Sequence, residues 1–274
     1  MKEIWASFMF FTRLPLWHVC KVPADSFKYI VSYWPLNGLL TGGIMTAVYL
    51  FAVHLHFHAL IAVLMAFISR LLLTGALHED GLADFIDGFG GGRTREQVLS
   101  IMKDSHTGSY GVLGLVLYIL LWTGSVFMLT QQSKGYEYMI FFTCDIWSKW
   151  CASQIVNFLP YARKEEDCKI KKVYERMSPV RFFTGFIGGI LPFVYFMIRH
   201  CIATQTNFRD TNATDTPLFM MLIAGAVVPV ITMLLLIWYI KRRIRGYTGD
   251  CCGAVFLLCE LSYLLTLNYL WRFI

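Results

Sequence analysis

Apolar residues fall along this chain in blocks of about 20, the length a helix needs to cross the hydrocarbon core of a bilayer. Six blocks stand out, at residues 30–54, 57–77, 110–130, 138–159, 182–198 and 218–240. A seventh, 251–271, carries Glu260 and Asn268, but its Leu, Tyr and Phe content favours a span over a buried amphipathic segment. Runs of this length exclude a membrane barrel, whose strands alternate over about ten residues. The pattern predicts an all-α, polytopic integral membrane bundle of about seven transmembrane helices, one domain over residues 1–274.

Composition agrees with the pattern. The 274 residues are 57% hydrophobic and 15% charged, against roughly 25% charged in an ordinary soluble domain. Of the 24 Lys and Arg residues, 18 fall in segments that seven spans would leave on the amino-terminal side, four fall on the other side, and Arg70 and Lys149 lie within spans. Short cytoplasmic loops retain positive charge, so the amino terminus is expected in the cytoplasm. The net charge of +6 is then a topology signal and an attraction to anionic headgroups of the lipid bilayer; nucleic-acid binding is not needed to explain it. The apolar run at residues 4–12 lacks a cleavage pattern and reads as an interfacial anchor, with Trp5 and Phe8 at headgroup level. The eight cysteines show neither C-x-x-C pairs nor zinc spacing and read as small core residues.

The chemistry concentrates in one polar segment, about 78–109. Glu79, Asp80, Asp84, Asp87, Glu96 and Asp104 make six of the 18 acids. If the second span runs on as a helix, then at about 100° per residue Asp84 lies about 40° and Asp87 about 20° from Asp80, so three carboxylates share a face. Such crowding is unfavourable without a cation among the acids. An all-oxygen ligand set suits Mg²⁺, with Mn²⁺ possible, a few carboxylates leaving positions for water and phosphate. The cluster Gly88, Phe89, Gly90, Gly91, Gly92, Arg93 fits either an anion cradle gripped by Arg93 or Arg95 or a flexible turn. The run T-R-E-Q, Thr94 to Gln97, predicts a capping box and a new helix.

Elsewhere, Asp145 and Lys149 stand four apart within a span and either pair with each other or face a substrate; Arg70 either pairs or snorkels. Thr248 and Asp250 stand at the mouth of the last span, on the same membrane face as the acidic helix by this topology.

Residues 78–88 (HEDGLADFIDG) and 102–111 (MKDSHTGSYG) resemble the signature of cobalamin synthase, adenosylcobinamide-GDP ribazoletransferase. Further matches are TRLP at 12–15, WPLNG at 34–38, YAR at 161–163 and YTGDCCGA at 247–254, so the likeness spans nearly the whole chain. Two loops depart from it: Arg245 stands where a glycine is expected before Gly246, and a Lys- and Glu-rich run follows Arg163. The resemblance implies that a hydroxyl of α-ribazole, or of its 5′-phosphate, attacks the cobinamide-side phosphorus of adenosylcobinamide-GDP and GMP departs. On that footing Glu79, Asp80, Asp84 and Asp87 are assigned to Mg²⁺, Asp104 and Asp84 to catalysis, and Arg93, Arg95, Lys103, Thr248 and Asp250 to substrate and phosphate. A bacterial inner membrane, an active site facing the cytoplasm and a homo-oligomer are compatible with the reading. A CDP-alcohol phosphatidyltransferase would need D-x-x-D-G-x-x-A-R, but position 77 is Leu and no Arg follows the acidic motif. A cation transporter would need midplane acids in two repeated halves, which the chain lacks.

Overall fold

The computed structural model describes residues 2–132, 137–163, 174–206 and 216–273. Their order is α1 (Lys2–Phe11), a 3-10 stretch (Ala24–Tyr33), α2 (Trp34–His54), α3 (Ala59–Thr74), α4 (Leu77–Gly91), α5 (Arg95–Ile101), α6 (Ser109–Gln132), α7 (Glu137–Ser153), α8 (Ile155–Phe158), α9 (Pro179–Thr206), α10 (Thr216–Ile244) and α11 (Gly249–Leu270). The bundle is all-α; the only strand-like feature among the described residues is an isolated bridge between Tyr161 and Tyr247. Lys134, Lys164, Lys169, Lys171, Lys172 and Arg209, which entered the charge count, lie outside the described residues.

Among the described residues, five segments are long and apolar enough to cross a membrane: Ala24–His54, Ser109–Gln132, Pro179–Ile198, Met220–Ile244 and Gly249–Leu270. A sixth forms if α3 and α4, bent by 89°, count as one broken span. Leu117 on α6, Leu191 on α9 and Leu235 on α10 are exposed, an apolar exterior that suits lipid rather than water. The expected span at 138–159 is the exception. It ends as α7 at Ser153, is almost wholly buried from 140 to 154, and packs among α2, α9, α10 and α11. Asp145, Ser148 and Lys149 explain this: ionisable groups at membrane depth need protein rather than lipid around them.

That interior joins six helices through charge. The Arg70 guanidinium on α3 donates to Glu260 Oε1 on α11 at 2.5 Å and to the Tyr118 hydroxyl on α6 at 2.8 Å. Tyr118 in turn donates to Glu260 Oε2 at 2.5 Å, and Arg70 lies 3.4 Å from Glu79 on α4. Lys149 pairs with Asp145 at 2.5 Å within α7 and donates to Thr41 on α2. Both open readings are thus decided for pairing: Asp145 with Lys149, Arg70 with Glu260.

The second span does not run straight into the acidic segment. Gly75 (φ 68°) and Ala76 (φ 56°) both take the left-handed conformation, ending α3 and turning the chain before α4 begins. Arg13 braces this elbow, its backbone N–H donating to Leu73 O at 2.7 Å and its guanidinium filling the space where a Gly75 side chain would stand.

Candidate active site

The acidic motif forms α4, but its carboxylates turn three ways. Glu79 is buried toward Arg70. Asp80 is exposed and Asp84, one turn later, is half-buried. Asp87 is buried and accepts the backbone N–H groups of Gly108 at 2.7 Å and Gly111 at 2.9 Å, satisfying amides that the first turn of α6 leaves without intrahelical partners. A side chain at either glycine would run into the Asp87 carboxylate, which accounts for both glycines of the 102–111 motif. Asp80, Asp84 and Asp87 keep the helical spacing of one face, yet their surroundings differ, and among the described residues no three His, Cys, Asp or Glu side chains gather as a metal cage.

The glycine cluster is also not a turn. Gly88, Gly90 and Gly91 belong to α4, and the Gly92 N–H donates back to Gly88 O at 2.9 Å. A side chain at Gly88 would overlap Met102, and one at Gly92 would overlap Val98, so these glycines let α5 pack close to α4; the helical amides at 88–91 do not form an open anion cradle. The capping box forms as expected, with Thr94 and Gln97 satisfying each other's backbone N–H groups.

Asp80 lines a cavity of about 170 Å³ whose other walls are Phe10, Phe11, Trp34, His78, Tyr161, Arg163, Tyr174 and the first turn of α11 from Gly249 to Gly253. Two glycines bring the acidic helix and α11 together here. A Cβ on Gly81 would meet the Asp250 backbone at 3.1 Å, and one on Gly253 would meet His78 O at 3.0 Å. The HEDG and YTGDCCGA motifs thus interlock, which sets Asp80 and Asp250 on one cavity. Thr248 caps α11, its hydroxyl accepting from the Cys251 N–H at 3.4 Å.

A strap crosses beside them. Ala162 N–H donates to Tyr247 O at 2.8 Å, and Tyr247 N–H donates to Pro160 O at 2.9 Å. Gly246 is required at this crossing, since a Cβ there would lie 2.7 Å from Pro160 O. Arg95 fastens the strap from the other side, donating to Ala162 O at 2.8 Å and Ile244 O at 2.9 Å. The strap carries Arg163, whose Nη2 lies 3.8 Å from the Asp250 carboxylate.

Of the residues assigned from sequence, the fold brings Asp80 and Asp250 together on the cavity. Arg93 and Lys103 are exposed and, with Arg95, are absent from its lining. Asp104 is exposed in the loop before α6 and accepts from the His106 backbone N–H at 3.0 Å and meets its Nδ1 at 2.7 Å. The hydrogen bonds from His106 hold the Asp104 carboxyl below its ordinary range. Trp34, His78 and Arg163 line the cavity without having been given roles; their only sequence signal was membership of the WPLNG, HEDG and YAR matches.

A family model described as cobalamin-5-phosphate synthase matches residues 3–268. The chain belongs to this family. Among similar proteins, one from Albidiferax ferrireducens is 32% identical over 95% of both chains. One from Leptospira interrogans is 30% identical over 99% of this chain and 98% of its own, and one from Vibrio cholerae is 32% identical over 95% of this chain and 91% of its own. All three are named adenosylcobinamide-GDP ribazoletransferase. No solved structure matches the chain. The segment 78–88 reaches the cavity wall at His78 and Asp80.

Proposed function

We propose that this membrane enzyme transfers the adenosylcobinamide-phosphate moiety of adenosylcobinamide-GDP to α-ribazole or its 5′-phosphate, releasing GMP and completing a late step of cobalamin biosynthesis. The observation that carries the reading is the meeting of Asp80 and Asp250 on one aromatic-walled cavity, in a chain matched by the family over residues 3–268. In phosphoryl transfer the protein's task is to position the reactants and stabilise charge on the phosphate oxygens.

The donor set fits a hard cation. Asp80 and Asp250 offer carboxylate oxygens only, and Mg²⁺ is commonly held by one or two carboxylates with water and substrate phosphate completing its shell. When bound there, Mg²⁺ would supply charge stabilisation at the phosphate oxygens. Asp84, one turn beyond Asp80 on α4, is assigned to receive the proton of the attacking hydroxyl. The aromatic rings of Phe11, Trp34 and Tyr161 exclude water and offer flat surfaces to a planar base. Positive charge on the amino-terminal side supports an active face in the cytoplasm of a bacterial inner-membrane protein.

The test is GMP and cobalamin release by detergent-purified protein given adenosylcobinamide-GDP, α-ribazole and Mg²⁺. Asp80→Asn and Asp84→Asn should each lower turnover on the order of 10²-fold or more, as removal of one electrostatic stabiliser does, and EDTA should abolish it. Wild-type turnover retained in Asp80→Asn would sink the assignment of the site. Absence of product from folded wild type would sink the reaction.

A further inference from the structure

Buried polar atoms nearly always have hydrogen-bond partners, so several unpartnered ones around a single cavity call for a ligand. Four such atoms belong to residues that line this one: Trp34 Nε1, His78 Nε2, and Arg163 Nε and Nη2. Trp34 is 1% exposed and His78 2%, while the Arg163 side chain is 11% exposed. Indole and guanidinium nitrogens only donate. The first turn of α11 borders the same space, with Thr248 capping its Cys251 N–H. The lining residues are therefore rich in unpartnered donors beside the two carboxylates, and their complement is a group with several acceptor oxygens and negative charge.

We propose that Arg163 is the phosphate clamp of the site, its Nε and Nη2 edge gripping two oxygens of one phosphate of a nucleotide, with the Trp34 indole N–H as a further donor. This edge-on grip is the one that distinguishes arginine from lysine. The strap presets it: the Tyr161–Tyr247 bridge and the Arg95 bonds to Ala162 and Ile244 hold Arg163 in place before any ligand arrives. Asp250, 3.8 Å from Nη2, keeps the buried guanidinium from standing uncompensated. The assignment moves phosphate recognition away from Arg93, Arg95 and Lys103. It deepens the phosphotransfer reading and rests on it for the identity of the nucleotide.

The experiment is calorimetric binding of GMP and of inorganic pyrophosphate to the full-length protein in detergent, without turnover, in Mg²⁺ and again in EDTA. Wild type should bind both. Arg163→Gln and Arg163→Lys should each weaken binding on the order of 10-fold or more, the loss expected for a charge-assisted pair of hydrogen bonds. Trp34→Phe should weaken it about 5-fold, one neutral hydrogen bond, and Lys241→Gln, an exposed cation elsewhere, should leave it unchanged. The Arg163 effect should persist in EDTA. Equal binding by wild type and both Arg163 variants, or no binding of either probe by wild type, overturns the clamp. Full affinity in Arg163→Lys with loss in Arg163→Gln overturns the two-oxygen grip, since charge alone would then suffice. A wild type that binds pyrophosphate through Arg163 but releases no GMP from adenosylcobinamide-GDP would refute the proposed reaction and leave the clamp standing.

Discussion

At the scale of single residues, the departure at Arg245 acquires a physical meaning. Its φ is 56°, a conformation that glycine adopts freely and other residues adopt at a cost of roughly 1–2 kcal/mol. The family-like glycine expected there is thus a backbone requirement of the turn leading into Gly246. Arg245→Gly should stabilise the protein by about 1 kcal/mol after the added freedom of the unfolded chain is counted, read as a higher unfolding temperature in detergent with turnover unchanged. Asp87 makes the opposite case. It lies at helical spacing from Asp80, while the donors that hold its carboxylate, Gly108 and Gly111, are 21 and 24 residues away. Gly111→Ala would press a methyl onto the Asp87 carboxylate and Ala83 O and should destabilise by about 1–3 kcal/mol, the usual range for overpacking; an unchanged unfolding temperature would refute the anchor. Asp104 gives a sign for pH. Its carboxyl is held below the ordinary value by His106, so the loop contact is present above the unfolded carboxyl's titration range and is lost as pH falls through the lower folded value. Carbon-detected titration of Asp104 in wild type and His106→Ala should show the midpoint rise in the variant.

At the scale of elements, what could be read from the chain depended on how far apart the interacting residues lie. The α5 capping box and the acidic α4 were legible because their determinants sit within a few residues of one another. The elbow at Gly75 and Ala76 was not, since Ala76 carries no local preference for its left-handed conformation and the bracing residue is Arg13. The glycines at 88–92, open in sequence between an anion cradle and a turn, prove to be neither, because glycine also serves close packing and only the presence of Val98 and Met102 reveals it. The enclosed position of α7 was hidden in the same way: the Asp145–Lys149 pair is local, but Arg70 and Glu260 are 190 positions apart, so nothing local reveals the network that surrounds that pair. This network gives an element-scale prediction. Removing one member of a buried pair leaves the other uncompensated and typically costs 3–5 kcal/mol, whereas removing both costs much less. Arg70→Met and Glu260→Gln should each be strongly destabilising, and the double variant should be more stable than the sum of the two losses implies. Strict additivity in unfolding measurements would mean that the pair is not coupled.

At the scale of the whole molecule, the fold is a largely apolar bundle holding a charged network at its centre and an apolar exterior, with one face at which chain segments distant in sequence converge. Residues 10, 11, 34, 78, 80, 161, 163, 249, 250, 252 and 253 all reach the cavity, so four of the six scattered motif matches meet at one place. The exterior makes a prediction about depth. In a cysteine-free background reconstituted into liposomes, cysteines placed at Leu117 on α6 and Leu235 on α10, 58% and 61% exposed in the absence of lipid, should resist a charged, membrane-impermeant maleimide. A cysteine at Lys241, at the end of α10 six residues beyond Leu235, should react. If all three reacted alike, water rather than lipid would cover the apolar exterior and the membrane assignment would fail. Protection at 117 and 235 with reactivity at 241 would place the bilayer boundary between Leu235 and Lys241. The basic end of α10, from which the chain turns through Gly246 into the α11 wall of the cavity, would then stand in water on the same side as the site.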